Sequence, residues 1–299
     1  MKVLVTGAAG FIGEKISNAL LKNCNVSVVD FPNKFSKAQK EKYRIYEFDI
    51  SKKEWINFLP SDFDLVVHCA AQTGGYYSLI DPQKDCEWNS LGTLNVVDFC
   101  RKQSNLKKVI YTSSMAVYGE GLNKSETDKT NPISFYGASK LSGEHYVQTL
   151  SNQTKIPFTT FRLWNTYGSG QDMENMHQGM LSIYLSQALK SKTIEITGSP
   201  DRIRDFVHVN DVVSAIILSI EKKETNNQVY NLCSGVSYTS KEVIEKISKF
   251  LDKPLKIKQI QGYLGDQNKS SGQNKKLFKL GWRPSYTLDD GIQEFIANI

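Results

Sequence analysis

The stretch KVLVTGAAGFIG, Lys2 to Gly13, decides the fold. Its first half is a short apolar run of strand type. Its second half places Gly7, Gly10 and Gly13 as G-x-x-G-x-x-G and runs directly into FIGEKISNALLK, a helical pattern. A glycine loop in that position permits a tight turn and lets the backbone approach a pyrophosphate. Free N–H groups and the dipole at the helix start then attract the anion. The next strand, NVSVVD, ends in Asp30. A carboxylate there accepts from a ribose 2′-hydroxyl and repels a 2′-phosphate, which favours NAD over NADP. The plain alternative is a helix-capping loop followed by a solvated aspartate.

Outward from this stretch the rhythm repeats. LVVHCAA and KVIYTSS read as buried strands, with SLGTLNVVDFCRK as the helix between them, and FTTFRLWN reads as another strand. Alternation of this kind predicts an α/β protein with a doubly wound parallel sheet. After Tyr167 the rhythm breaks, and DVVSAIILSIEK (helix), QVYNL (strand) and SKEVIEKISKFL (helix) follow. We expect residues 1–167 plus 194–233 to form the cofactor domain. A smaller C-terminal α/β substrate domain is expected from 168–193 plus 234–299.

The 299 residues carry a formal net charge of +6, with 40% apolar and 23% charged residues, enough for one large or two closely packed domains. Basic runs such as KEKYRIYEF lack the concentrated Arg/Lys pattern of a nucleic-acid face, so the charge fits a cleft for an anionic small molecule. The five cysteines are scattered without a CxxC pair, which excludes a disulfide framework and a zinc site of that kind. No apolar run approaches membrane-spanning length, and the opening MKVLVTG has no leader pattern. A cytoplasmic protein is expected, with no membrane or nucleic-acid partner. No metal site is expected either, because His177 has no partner at ligand spacing.

In SFYGASKLSGEHY, Ser134 to Tyr146, Tyr136 and Lys140 stand four apart with only Gly137, Ala138 and Ser139 between them. On a helix both heads share a face. In a cleft the ammonium would favour the phenolate, lower the pKa of Tyr136 and make it a general base. A surface helix would carry the same residues without that role.

The segments TGAAGFIG, HCAA, WNSLGTLNVVD, TSSMAVYG, YGASK, RLWNTYG, RDFVHVNDVV and LGWRP occur in this order over nearly the whole chain. Together they resemble the extended short-chain dehydrogenase/reductase family, in its NAD-dependent sugar epimerase/dehydratase branch. The resemblance implies a Rossmann fold, NAD as cofactor and a nucleotide-diphosphate sugar as substrate. It further implies that Tyr136 exchanges a proton with a sugar hydroxyl, Lys140 binds the nicotinamide ribose, and Ser114 bonds to the same sugar oxygen. Gly7, Gly10, Phe11, Ile12, Gly13 and Asp30 would hold the cofactor, with Ala70, Ala71, Asn89 and Leu163 beside it. Asp49 and Ile50 would meet the adenine, although Asp49 also reads as a helix N-cap and Asn89 as a capping residue. Asn165 and Arg204 would contact substrate, the guanidinium being suited to a diphosphate. Arg204 also reads as half of a surface ion pair with Asp205.

The implied reaction is C4 epimerisation of a UDP-hexose through a 4-keto intermediate. The alternative is reduction of a nucleotide 4-ketosugar by NAD(P)H, using the same Ser, Tyr and Lys. A 4,6-dehydratase would carry Asp-Glu after the catalytic hydroxyl residue, whereas Met115 and Ala116 follow Ser114. A non-catalytic regulator on this fold would be expected to lose Tyr136 or Lys140. The chain departs from the family pattern at Tyr263, where an arginine is expected, and at Gly272, near an expected aspartate. Tyr263 or Lys269 could take over there. AQTGGYYSLIDP, with its two tyrosines, and NTYGSGQDMENMHQGMLSIYL are expected to wall the sugar pocket. A homodimer through SLGTLNVVDFCRK and YGASKLSGEHYVQTL is expected.

Overall fold

A computed structural model describes residues Met1–Ile299. Its strands, in chain order, are β1 Lys2–Thr6, β2 Asn25–Asp30, β3 Arg44–Glu47, β4 Leu65–His68, β5 Lys108–Ser114, β6 Gly121–Lys124 and β7 Phe158–Leu163. The remainder are β8 Asn165–Tyr167, β9 Thr193–Thr197, β10 Ile203–His208, β11 Gln228–Leu232, β12 Ser237–Thr239, β13 Lys256–Ile260 and β14 Lys269–Gly272.

Seven strands form one sheet in the order β11-β7-β5-β4-β1-β2-β3, parallel throughout. Helices cover both faces, which is why β4 and β5 are buried along their whole length and read as continuous apolar or small-residue runs. One face packs Val3, Val5 and Val28 against Ile16 of the first helix and Val212, Ala215 and Ile216 of helix Val209–Glu221. The other packs Leu4, Val66 and Val109 against Val96 and Phe99 of helix Gly92–Arg101 and Val147 and Leu150 of helix Phe135–Thr154. The chain order reverses between β1 and β4, and the crevice beyond their C-terminal ends is where a doubly wound sheet binds ligands.

The smaller lobe holds a sheet β12-β10-β14-β6 with β8 on β10, and a parallel pair β13-β9. Tyr184, Leu185, Val243, Ile247, Ile292 and Phe295 are its core. The segment 194–233 therefore divides. β9 and β10 pair in the smaller sheets, while helix Val209–Glu221 and β11 serve the large one. β6, from within residues 1–167, crosses to the smaller lobe as well. The reason lies in β10: Asp205 accepts from the amides of Ser234 and Gly235, each at 2.8 Å, and Arg204 binds the loop at 266–267.

Candidate active site

The first helix, Phe11–Leu20, starts at Gly10 with no side-chain cap, so its opening N–H groups are free. Gly7 has φ +71°, and a Cβ on it would lie 2.5 Å from the Ala70 nitrogen. A Cβ on Gly13 would lie 2.1 Å from the Gly7 carbonyl oxygen. Both positions therefore demand glycine, and the loop presses backbone against the β4 end. Asp30 fixes the loop from β2, accepting from Ala9 N–H at 2.9 Å and Phe31 N–H at 2.8 Å. Burial raises the Asp30 carboxyl, and those two amides pull it back. This cradle fits a dinucleotide: free helix N–H groups, no side chain in the way, and a carboxylate at its edge.

A cavity of about 680 Å³ runs from the cradle to the smaller lobe. Gly7, Gly10, Phe11, Ile12, Gly13, Asp30, Ile50, Ala70, Ala71 and Leu163 line it, and so do Ser114, Tyr136, Lys140 and Asn165. The structure thus brings together residues spread over most of the chain. Three expected residues stand behind the wall. Asp49 accepts from Ser51 N–H at 2.9 Å in a local turn; the helix N-cap its sequence also allowed does not form, because the next helix, Lys53–Phe58, starts from Lys52 without a side-chain cap. Asn89 is buried in a wide helical turn, not at a cap. Its Oδ1 accepts from Gln72 N–H at 2.7 Å, and its Nδ2 reaches the Gln72 carbonyl and Asp85 at 3.0 Å and Ser139 Oγ at 3.1 Å. Arg204 is 3% exposed and turned to Asp266 at 3.3 Å and the Gln267 carbonyl, so the surface pair with Asp205 does not form.

Helix Phe135–Thr154 begins at Ser134, whose hydroxyl accepts from Gly137 N–H at 3.1 Å. The small residues after Tyr136 have packing reasons. A Cβ on Gly137 would lie 2.6 Å from the Ala116 carbonyl, and Ser139 meets Asn89 and donates to the Tyr136 carbonyl at 3.0 Å. A buried ion pair fixes the next turn: Arg162 Nη2 and Nε donate to Glu144 at 2.7 and 2.9 Å, and Ser113 donates to the same carboxylate at 2.5 Å. Glu144, Arg162 and Asp85 were not singled out from sequence. Glu144 was legible, lying four residues after Lys140 on the same helix face.

The electrostatics correct one expectation. Tyr136 is not lowered by Lys140: burial pushes the phenol up to about 12, and the restoring influence is the Ser114 hydroxyl. The Lys140 ammonium stands over the Tyr111 ring, 4.5 Å from its centroid, and burial lowers it to about 8 while Cys69, Glu144 and Asp85 oppose the fall. The helical spacing puts both residues on one side, with the ammonium over the Tyr111 ring.

The smaller lobe supplies Thr166, Tyr167, Gly170, Gln171, Asp172, Asn175 and Gln178–Leu181 to the cavity, as the expected wall segment requires. Of AQTGGYYSLIDP only Ala71, Gln72 and Thr73 line it. Tyr76 stacks on His177 at 4.5 Å and meets Tyr263 edge-on at 5.8 Å, so these aromatics join the lobes instead of facing the cavity. Phe31 and Trp88, 5.5 Å apart and edge-on, line the cavity beside Asp30 and were not anticipated.

The profile of the NAD dependent epimerase/dehydratase family matches residues 3–233. A putative UDP-glucose 4-epimerase of Methanocaldococcus jannaschii is 32% identical, over 98% of this chain and 97% of its own. The crystal structure of a UDP-glucose 4-epimerase with UDP-glucose from Thermotoga maritima superposes with a TM-score of 0.93 at 29% identity, covering 100% of this chain and 98% of that one. A UDP-glucuronic acid 4-epimerase from Bacillus cereus, solved with NAD, gives 0.91 at 27% identity, covering 100% and 98%. With its glycine cradle, its Tyr–Lys helix and a match over three quarters of its length, the chain belongs to the NAD dependent epimerase/dehydratase family.

Proposed function

We propose that the protein is an NAD-dependent nucleotide-sugar 4-epimerase acting on a UDP-hexose. One observation carries the reading: Ser114, Tyr136 and Lys140 line the same cavity as the glycine cradle. Bound NAD supplies a hydride acceptor and donor. The glycine loop holds its pyrophosphate through the N–H groups at the helix start, and Asp30 accepts from the adenosine ribose. Tyr136 takes the proton of the sugar 4-hydroxyl as that carbon becomes a ketone and returns it when the ketone is reduced on its other face. Ser114 donates to the same sugar oxygen and steadies the phenol. Lys140, ordered by Tyr111, binds the nicotinamide ribose and brings positive charge toward the phenolate once both are covered. Asn89 positions the Gln72 backbone against the helix that carries the base. Asn165, whose Nδ2 donates to the Asp205 carbonyl at 3.0 Å, contacts the sugar; Arg204, assigned to the diphosphate from sequence, would have to leave Asp266 to take that role.

The subunit is proposed to pair with a second copy through helices Gly92–Arg101 and Phe135–Thr154, beside which Leu91 and Leu94 lie exposed. No helix is long and apolar enough to cross a membrane, in keeping with a proposed cytoplasmic location. The protein purified without added cofactor and then denatured should release NAD or NADH. Given UDP-galactose, it should form UDP-glucose without net NADH. Stoichiometric oxidation of NAD(P)H on a nucleotide 4-ketosugar, with no epimerisation, would establish the reductase instead.

A further inference from the structure

We infer that Glu144, outside the cavity wall, is a positioning residue of this site. Its carboxylate, clamped by Arg162, locks the strand carrying Ser114 to the helix carrying Tyr136 and Lys140, and it supplies the fixed negative charge behind the buried ammonium. The inference rests on the nucleotide-sugar reading above and deepens it. Three elements meet on this one carboxylate. Arg162, on β7, donates from Nη2 to Oε2 at 2.7 Å and from Nε to Oε1 at 2.9 Å. Ser113, on β5, donates to Oε1 at 2.5 Å. Glu144 itself lies one turn after Lys140 and two turns after Tyr136 on helix Phe135–Thr154. Ser113 and Arg162 are register partners, as are Ser114 and Leu163, so the clamp acts one residue from the Ser114 hydroxyl. The outer side is closed as well. The Arg162 guanidinium stands 4.7 Å from the centroid of the Tyr118 ring, whose hydroxyl donates to Asn231 at 2.7 Å.

A buried ion pair is a poor device for stability alone, because apolar residues of the same volume hold a strand to a helix as well. What it adds is a bidentate geometry with little freedom and a charge that stays in place. The charge has a recipient. The titratable groups around Lys140 are His68 and Cys69 at the end of β4, Tyr111 on β5, Asp85 on helix Pro82–Asp85, and Tyr136 and Glu144 on its own helix. Burial keeps His68 neutral and pushes the Cys69 thiol up to about 12 and the Tyr111 phenol well above its usual value. Two carboxylates are left. Burial raises Asp85, and one of its oxygens has no hydrogen-bond partner. Glu144 is the one paired with a guanidinium, on the side away from the lysine. Burial drives Lys140 down to about 8, and Glu144 is among the groups that resist the fall.

The test uses the full-length protein and two readouts. NAD affinity is measured by calorimetry across the pH range around 8, with Lys140→Met marking the part of the dependence that the lysine carries. The pH profile of kcat is measured with UDP-galactose. In the wild type, affinity should fall as pH rises through about 8 and the ammonium is lost. Glu144→Gln keeps the shape and removes the charge. Its fall should come about one unit lower in pH, the scale of one charge an i, i+4 spacing away in a protein interior. Its kcat profile should move the same way, and the maximum should drop at least about tenfold as Ser114 and Tyr136 lose alignment. Arg162→Lys keeps both charges and loses the fork, so it should lower the maximum without moving the midpoint. A merely structural pair would lower kcat and NAD affinity together at every pH. That result in Glu144→Gln, or a profile like the wild type, overturns the inference. If Glu144→Gln does not fold, as judged by circular dichroism, Glu144→Gln with Arg162→Met leaves no unpaired buried charge and should show the same shift. An unmoved midpoint there also overturns the inference. A midpoint shift in a protein that turns over no nucleotide sugar would support the charge given to Glu144 and remove the epimerase reading.

Discussion

The two ends of the cavity are built differently. The cofactor end is made by contiguous chain: one strand, three glycines, one helix and the carboxylate closing the next strand. Its working groups are mostly backbone N–H, so side chains matter there chiefly by being absent. The substrate end is assembled from β5, helix Phe135–Thr154, β8, helix Met180–Lys190 and loops from both lobes, and its working groups are side chains. Damage to the first end should appear as lost cofactor binding. Damage to the second should appear as lost turnover or altered selectivity with the cofactor still in place.

The sharpest form of this contrast is Tyr136→Phe. It should lower kcat at least about a hundredfold, the scale of a lost acid–base group, while NAD affinity measured by calorimetry stays within about threefold. A near-normal rate would remove Tyr136 from the mechanism. Gly13→Ala should do the reverse. The new methyl lies inside contact distance of the Gly7 carbonyl, so the loop must shift and NAD affinity should fall about a hundredfold, near the upper end of overpacking costs. An unchanged NAD affinity would show that the cradle is softer than its geometry implies. Asp30→Ala should move the cofactor preference toward NADP by at least about tenfold, because the carboxylate that repels a 2′-phosphate is gone. Paired titrations with NAD and NADP check this, and an unchanged ratio would end the ribose assignment.

His68 supports both ends, and its effect falls on stability instead of binding or turnover. Its ring meets Thr6 Oγ1 at 2.7 Å and Thr93 Oγ1 at 2.9 Å and stacks on Tyr111. Burial lowers its pKa from 6.5 to about 3, so the folded form keeps it neutral. Between those values the unfolded chain binds more protons, and stability must fall as pH falls from about 6.5 toward 3. The loss should be about 2 kcal/mol by pH ~5, because each pH step of one below the unfolded value costs about 1.4 kcal/mol. Urea unfolding at pH ~7.5 and ~5 should show it, and His68→Gln should flatten the difference. An equal slope in the variant would assign the acid sensitivity elsewhere.

Much of the molecule was legible along the chain. Strands β1, β2, β4, β5, β7 and β11 and the helices on them follow from apolar runs of the right length, because both faces of a parallel sheet are covered. Less legible were β6, β8, β9, β10, β12, β13 and β14, which are short or polar and acquire their pairing only when distant segments meet. The exposed β13, KIKQI, carries no alternation that fixes a face; it is a strand because β9 lies beside it.

The sequence by itself determined the cofactor cradle, the identity of Tyr136, Lys140 and Ser114, and the family. The cradle rests on residues close together in the chain, where local geometry leaves few options, and the family on motifs that follow one another in order along it. Tertiary structure alone decided what those residues experience. It set the Lys140 ammonium over the Tyr111 ring, sent Asp49, Asn89 and Arg204 behind the cavity wall, and left the Gln72 Oε1 buried without a donor. Burial and pairing depend on which remote groups arrive as neighbours. That information is spread over the whole chain and becomes physical only once the two lobes close on each other.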